Sequence, residues 1–171
     1  NYIFDLGEKS KIRKITFLGN KIFKDKKLKS VILTEEYKFW KFISGKKYLN
    51  EALINYDKNL LKNFYLNKGY YNIQINSSFS KLIKDNEFEL IYNIEAGPKI
   101  YFNEFKLNLP IDFEVNNFEE INQIFSDLKG KYYSLHHVEK ILNKIETITI
   151  TEQNESIDAQ IEEEIISDKI N

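Results

Sequence analysis

The chain repeats itself, and the repeat decides its domain organisation. GEKSKIRKITFLGN from Gly7 aligns with GPKIYFNEFKLNLP from Gly97 at an offset of 90, setting Lys9 with Lys99, Ile12 with Phe102, Ile15 with Phe105 and Phe17 with Leu107. Further on, GKKYLNEALINYDKNL from Gly45 aligns with GKYYSLHHVEKILNKI from Gly130 at an offset of 85, setting Leu53 with Val138, Tyr56 with Ile141 and Leu60 with Ile145. Self-similarity at this spacing means one supersecondary unit used twice, so the 171 residues divide into two small modules.

The first copy spells out the unit. Residues 11–20, KIRKITFLGN, hold Ile12, Ile15, Phe17 and Leu18 in a short β-prone run closed by the Gly19-Asn20 turn signal. Residues 24–33 place Leu28, Val31 and Ile32 at helical spacing, with Asp25 as the expected N-cap. The stretch EEYKFWKFISG has neither period and is expected to be a loop packed by Tyr37, Phe39, Trp40 and Phe42. Asn50 is expected to cap a second helix with Leu53, Tyr56, Leu60 and Phe64 on its apolar face and Glu51 and Asp57 facing out.

That helix is expected to stop at Gly69, where a positive φ costs little, and an alternating strand begins at once. Tyr71, Ile73, Ile75 and Phe79 alternate with Asn72, Gln74, Asn76 and Ser78, and Lys84-Asp85-Asn86 turns the chain into Phe88, Leu90, Tyr92 and Ile94. The order is strand, helix, helix, strand, strand: an α+β unit whose three-stranded mixed sheet carries both helices on one face. In the second copy TITITEQNE replaces FYLNKGYY, so its second helix is expected to end earlier and without a glycine cap. Residues 156–166 supply its first hairpin strand and Ser167-Asp168 the turn, with the chain stopping before the final strand.

Composition removes other classes. There is no cysteine, which excludes disulfides and thiolate metal sites. No apolar run approaches the roughly 18 to 20 residues of a membrane helix, so the chain as given reads as soluble. The net charge of -1 conceals 13 basic against 5 acidic residues over 1–50 and 1 against 8 over 146–171. No nucleic-acid motif accompanies that basic half. His136 and His137 are adjacent and cannot share a metal as an i, i+4 pair does. The scattered carboxylates form no acid/base pair, so no catalytic residue, metal site or cofactor is expected and the chain reads as a non-enzyme.

Ile12, Ile15, Phe17, Gly19 and Asn20, then Phe64, Tyr65, Gly69 and Tyr70, then Glu95 and Gly97 resemble in order the motifs of the polypeptide-transport-associated (POTRA) domain family. The aromatic insertion at Phe39-Trp40, ahead of Gly45 and Tyr48, is similar to that of the third repeat in the outer-membrane assembly branch of the family. On this resemblance residues 1–7 end a preceding repeat, 8–97 are a third-like repeat, and 98–171 are most of a fourth-like one, truncated before its last strand. The resemblance implies a periplasmic arm in front of a membrane β-barrel, without cofactor, that receives unfolded outer-membrane proteins and docks accessory lipoproteins.

The implied mechanism is β-augmentation, in which an extended segment pairs with a free sheet edge. The strand over 72–82 is the expected edge, with Asn72, Gln74, Asn76, Ser78, Ser80 and Leu82 as outward contacts. Phe39, Trp40 and Phe42 form a candidate partner loop. A related Omp85-type transporter is the alternative within the family. A single-pass division or envelope protein is the alternative outside it, against which tandem copies argue.

Overall fold

The computed structural model describes residues 9–19, 22–40, 45–81, 86–111, 113–153 and 159–171. Contacts divide the chain into two units, one within residues 1–64 and 73–96 and the other within 65–72 and 97–171. The first unit is built around β1 (Lys11–Leu18), α1 (Asp25–Lys29), α2 (Glu51–Leu66), β2 (Gln74–Lys81) and β3 (Glu87–Glu95). Its sheet runs β1-β3-β2, with β1 parallel and β2 antiparallel to the central β3.

Ile12, Ile15 and Phe17 are all buried although the first two are three apart, which a regular strand would send to opposite faces. The register slips between Ile12 and Lys14, and this bulge at Arg13 restores the core phase. Facing them, Leu90, Tyr92 and Ile94 line the same side of β3, and Leu28, Ile32, Ile54 and Leu61 close the core from the helices and the segment after α1. Phe17 and Tyr92 stack with centroids 5.6 Å apart. β1 ends because Gly19 takes φ +71 so close to β3 that a Cβ there would lie 2.6 Å from the Ile94 carbonyl oxygen.

Two helix expectations are corrected. α1 spans only Asp25–Lys29, with Lys24 at the N-cap position and Asp25 inside the first turn without a capping bond. In α2 the buried stripe is Ile54, Asp57, Leu61 and Tyr65, one residue on from the expected face, while Tyr56 stands 53% exposed. Asp57 fixes that phase. Its carboxylate is fully buried and accepts the Leu33 N–H at 2.6 Å, the Thr34 N–H at 3.0 Å and the Tyr92 hydroxyl at 3.2 Å. It therefore ties the segment after α1 and the central strand to α2, and turning it outward would leave the Leu33 N–H and two donors on the buried Thr34 and Tyr92 unmet. The Asn50 cap holds as expected, accepting the Leu53 N–H at 3.1 Å.

The second unit repeats the topology with β4 (Tyr101–Phe102), α3 (Glu119–Leu128), α4 (Leu135–Gln153), β5 (Ile165–Ile166) and β6 (Lys169–Ile170), in sheet order β4-β6-β5. Two residues of the last strand are present, which corrects the expectation that the chain stops before it: Lys169 and Ile170 pair in parallel with Tyr101 and Phe102. Ile100, Phe102, Phe118, Ile121, Tyr133, Ile141, Ile145 and Ile170 are buried. Phe105 stacks on Phe125 at 4.7 Å.

Backbone pairing also corrects the helix alignment from an offset of 85 to one of 84. The bridge Lys11–Tyr48 recurs as Tyr101–Tyr132, and the helix starts Glu51 and Leu135 stand in the same relation. Gly45 opens a 3₁₀ turn while Gly130, at φ +78, follows α3, so their identity aligns residues with different jobs. On that offset α4 overruns the equivalent of Leu66 instead of ending earlier. Nothing like Gly69 stops it, and its strand-like TITIT run is satisfied within the helix: Thr147 and Thr151 donate their hydroxyls to the carbonyls of Asn143 and Thr147, at 2.7 and 2.8 Å.

Gly69 itself is at φ +92 and completes a Schellman cap, with Gly69 N–H on the Leu66 carbonyl, Tyr70 N–H on the Tyr65 carbonyl, and the Tyr65 and Tyr70 rings edge to face. Next to it, Tyr71 donates to Glu163 at 2.5 Å and meets the Tyr133 ring edge to face.

Gly19→Ala should lower stability to urea by at least about 1 kcal/mol through strain at positive φ and the Ile94 clash. Asp57→Ala should cost on the order of 3 kcal/mol in the same assay, because three donors, two of them on the buried Thr34 and Tyr92, lose their acceptor. The bond to Glu163, with burial, raises the Tyr71 hydroxyl from 10.0 to about 12. Since the folded pKa is the higher one, this stabilisation is complete below about pH 10 and disappears as pH climbs to about 12. Tyr71→Phe should flatten the fall in urea stability across that interval.

Candidate interaction edge

The sheet of the first unit has two edges, and among the described residues only one is covered. Along the outer side of β1, Tyr37 N–H donates to the Ile12 carbonyl at 2.6 Å, Leu49 N–H donates to the Ser10 carbonyl at 2.9 Å, and Lys11 bridges to Tyr48. Ile15 N–H donates to the Glu36 carboxylate at 3.0 Å. Burial opposes ionisation of Glu36, but the Lys29 ammonium at 2.5 Å and the Ile15 N–H together hold its carboxyl below the ordinary value. A charged acceptor thus closes a strand edge that would otherwise invite pairing.

Among the described residues the outer side of β2 has no such cover. Which of its residues present their main chain there follows from the far side of the sheet. Lys11 N–H donates to the Asn86 carbonyl at 2.6 Å, and with the Lys11–Glu87 register this turns the main chain of Asn86, Phe88, Leu90, Tyr92 and Ile94 toward β1. The outward Ile15 N–H, beyond the bulge, agrees. The alternate residues Glu89, Ile91, Asn93 and Glu95 therefore bond to β2, through their partners Ser80, Ser78, Asn76 and Gln74. What remains for the free edge is the main chain of Ile75, Ser77, Phe79 and Lys81. Among the described residues no hydrogen bond reaches it.

The sequence-predicted contact residues offer side chains, and not main chain, to the surroundings of β2. Gln74, Asn76 and Ser78 are exposed on the sheet face away from the helices, and Ser80 continues that register opposite Glu89, yet their main chain is spent on β3. Asn72 is exposed but precedes the strand, and Leu82 lies outside the described residues. Ile75, Ser77 and Phe79, which sequence reasoning passed over as the inward half of the alternation, carry the free donors and acceptors. Polar alternation could not reveal this, because hydrogen-bond phase depends on register with a distant strand.

On the same open face, Arg13 pairs with Glu87 at 2.7 Å and Lys14 with Glu89 at 2.9 Å, so the charges toward β1 are largely matched. Of the candidate partner loop, Phe39 and Trp40 are exposed, which corrects the expectation of a packed loop core, and Phe42 lies outside the described residues. Among the described residues no cluster of three or more metal-ligating side chains occurs, and no helix is long and apolar enough to cross a membrane.

Comparison with known proteins agrees with this topology. The sequence pattern of the POTRA family, described as a surface antigen variable number repeat, matches residues 10–97. The chain is 27% identical over 143 residues to the outer membrane protein assembly factor BamA of Buchnera aphidicola, covering 81% of this chain and 22% of that protein. It is 24% identical over 143 residues to BamA of Neisseria meningitidis, covering 83% of this chain and 18% of that protein. The chain thus spans about a fifth of the length of these relatives. Among solved structures, the POTRA3-5 segment of Haemophilus influenzae BamA superposes with a TM-score of 0.64 at 15% identity, over 96% of this chain and 60% of that one. POTRA1-2 of Omp85 from Anabaena superposes at 0.51 with 11% identity, over 95% and 93%. With the family's pattern matched over more than half its length and the family's strand order formed in both units, the chain belongs to the POTRA family.

Proposed function

We propose that this chain is part of the periplasmic arm of a BamA-like factor for outer-membrane β-barrel assembly, and that the outer edge of β2 receives an extended segment by β-augmentation. Residues 8–97 and 98–171 then correspond to a third-like and a fourth-like repeat. The partners are unfolded β-barrel clients and accessory lipoproteins of the BamB kind. One observation carries the reading: the β1 edge is sealed by main chain and Glu36, while on the other edge no hydrogen bond among the described residues reaches the main chain of Ile75, Ser77, Phe79 and Lys81. An added strand would bond through backbone groups common to every client, which suits a receiver of many sequences.

The test is anisotropy of a fluorescent peptide copied from a β-barrel strand. Ser77→Pro removes one outward donor and should abolish binding, whereas a triple change of Gln74, Asn76 and Ser78 to alanine leaves the edge main chain intact and should preserve it. Far-UV circular dichroism of each variant guards against unfolding. Equal binding by Ser77→Pro, or loss of binding with the alanine variant alone, would sink the edge reading.

A further inference from the structure

The outer edge of β2 offers more than main chain. Across the hairpin, Phe79 stands opposite Leu90, Ser77 opposite Tyr92 and Ile75 opposite Ile94. Those three residues of β3 are buried, and directly opposed residues share a face, so the side chains of Ile75, Ser77 and Phe79 lie on the helix side of the sheet. Ile75 and Ser77 are half-buried there, whereas Phe79 is 41% exposed. A ring left partly in water on the outermost strand, beside outward-facing main chain, lacks the cross-strand neighbour that one further strand would supply.

The other face of β2 is different. Gln74, Asn76 and Ser78 are exposed there, and no charged residue occurs from Asn72 to Ser80. An added strand would thus meet an apolar row on one side and amides and hydroxyls on the other. The second unit does not repeat this pattern. Ile170 pairs with Phe102 and Ile165 as Phe88 pairs with Ile12 and Lys81, and Glu164 exchanges both main-chain bonds with Asn171. Counting back along both hairpins therefore sets Glu163, flanked by Glu162 and Glu164, where the first unit has Phe79. Its carboxylate accepts the Tyr71 hydroxyl at 2.5 Å, and a carboxylate at that place disfavours an apolar neighbour.

We propose that Phe79 is the specificity-determining residue of the β2 edge, an apolar anchor that selects segments in which apolar and polar residues alternate. This rests on strand addition at β2. In an added strand, the residue opposite Phe79 and those two positions to either side of it share the helix side with the ring. An alternating segment puts all its apolar residues there and its polar ones beside Asn76 and Ser78. A segment of the same composition with its apolar residues in adjacent pairs sends half of them to the polar row. Main-chain bonds alone accept both patterns equally, and the ring distinguishes them. With Glu163 at the equivalent position, the second unit has no such anchor.

The test uses the full chain and two short fluorescent peptides built from the same valines and serines, one strictly alternating and one with its valines in adjacent pairs. The alternating peptide should bind about fivefold more tightly, as read by anisotropy. Phe79→Ser should bring it down to the affinity of the paired peptide, whose own binding stays unchanged, and Phe79→Leu, which keeps an apolar side chain, should retain most of the preference. Circular dichroism checks the fold of both variants. Equal affinity of the wild type for the two peptides, or a preference that survives Phe79→Ser, overturns the anchor. In either case the edge itself still stands if Ser77→Pro removes the binding. If neither peptide binds the wild type, the anchor and the edge fall together.

Discussion

The first unit depends on the parallel ladder between β1 and β3. A parallel pair cannot be closed by a tight turn, so both helices and then β2 lie between the two strands. The ladder joins residues far apart in sequence, with Arg13 and Glu87 making an ion pair across 74 positions. Because the last strand in sequence takes the middle of the sheet, the first strand becomes one edge and the outer strand of the hairpin the other. The second unit repeats this choice with four residues of β4 and β6. The location of an edge available for pairing is thus a consequence of strand order, fixed before any side chain on that edge is considered.

Asp57 performs for the helix layer what the ladder performs for the sheet. A buried carboxylate is costly unless its oxygens are met, and here two backbone donors and a tyrosine hydroxyl meet them. The segment after α1 has little regular structure of its own, since α1 is a helix of five residues. The position of that segment is set by a side chain from α2. Burial and the nearby Asp57 carboxylate push the Tyr92 hydroxyl well above its ordinary range, so the donor in this contact stays protonated wherever the protein is folded.

Much of this was legible in the sequence, and the failures have physical causes. Alternation located β2 and β3, Gly69 marked the end of α2, and the repeat identified two copies of one unit. The helix phase was misread because periodicity counts Tyr56 as apolar and Asp57 as polar, whereas a hydrogen-bonded carboxylate belongs inside and a tyrosine tolerates water. The offset of 85 followed Gly45 and Gly130, two glycines that share a name but not a conformation. The length of α4 was underestimated because threonine reads as strand until its hydroxyl finds a carbonyl in the preceding turn. The strand over 72–82 is an edge of the sheet as the unit's topology implied, but which of its residues turn their main chain outward needs a register with β1 that no local pattern contains.

The alternation along β2 separates two properties that a binding surface usually holds in the same residues. Ile75, Ser77 and Phe79 turn their side chains to the helix side of the sheet, opposite Ile94, Tyr92 and Leu90, while their main chain faces outward. Gln74, Asn76 and Ser78 do the reverse. Substitutions at the second set can therefore accumulate under selection for solubility or for a particular neighbour without altering the row of donors and acceptors. Substitutions at the first set meet the helix side of the sheet, where Ile75 and Ser77 are half-buried and Phe79 is exposed. The row of outward donors and acceptors is consequently set by the strand order, and the side chains of the adjoining face are independent of it.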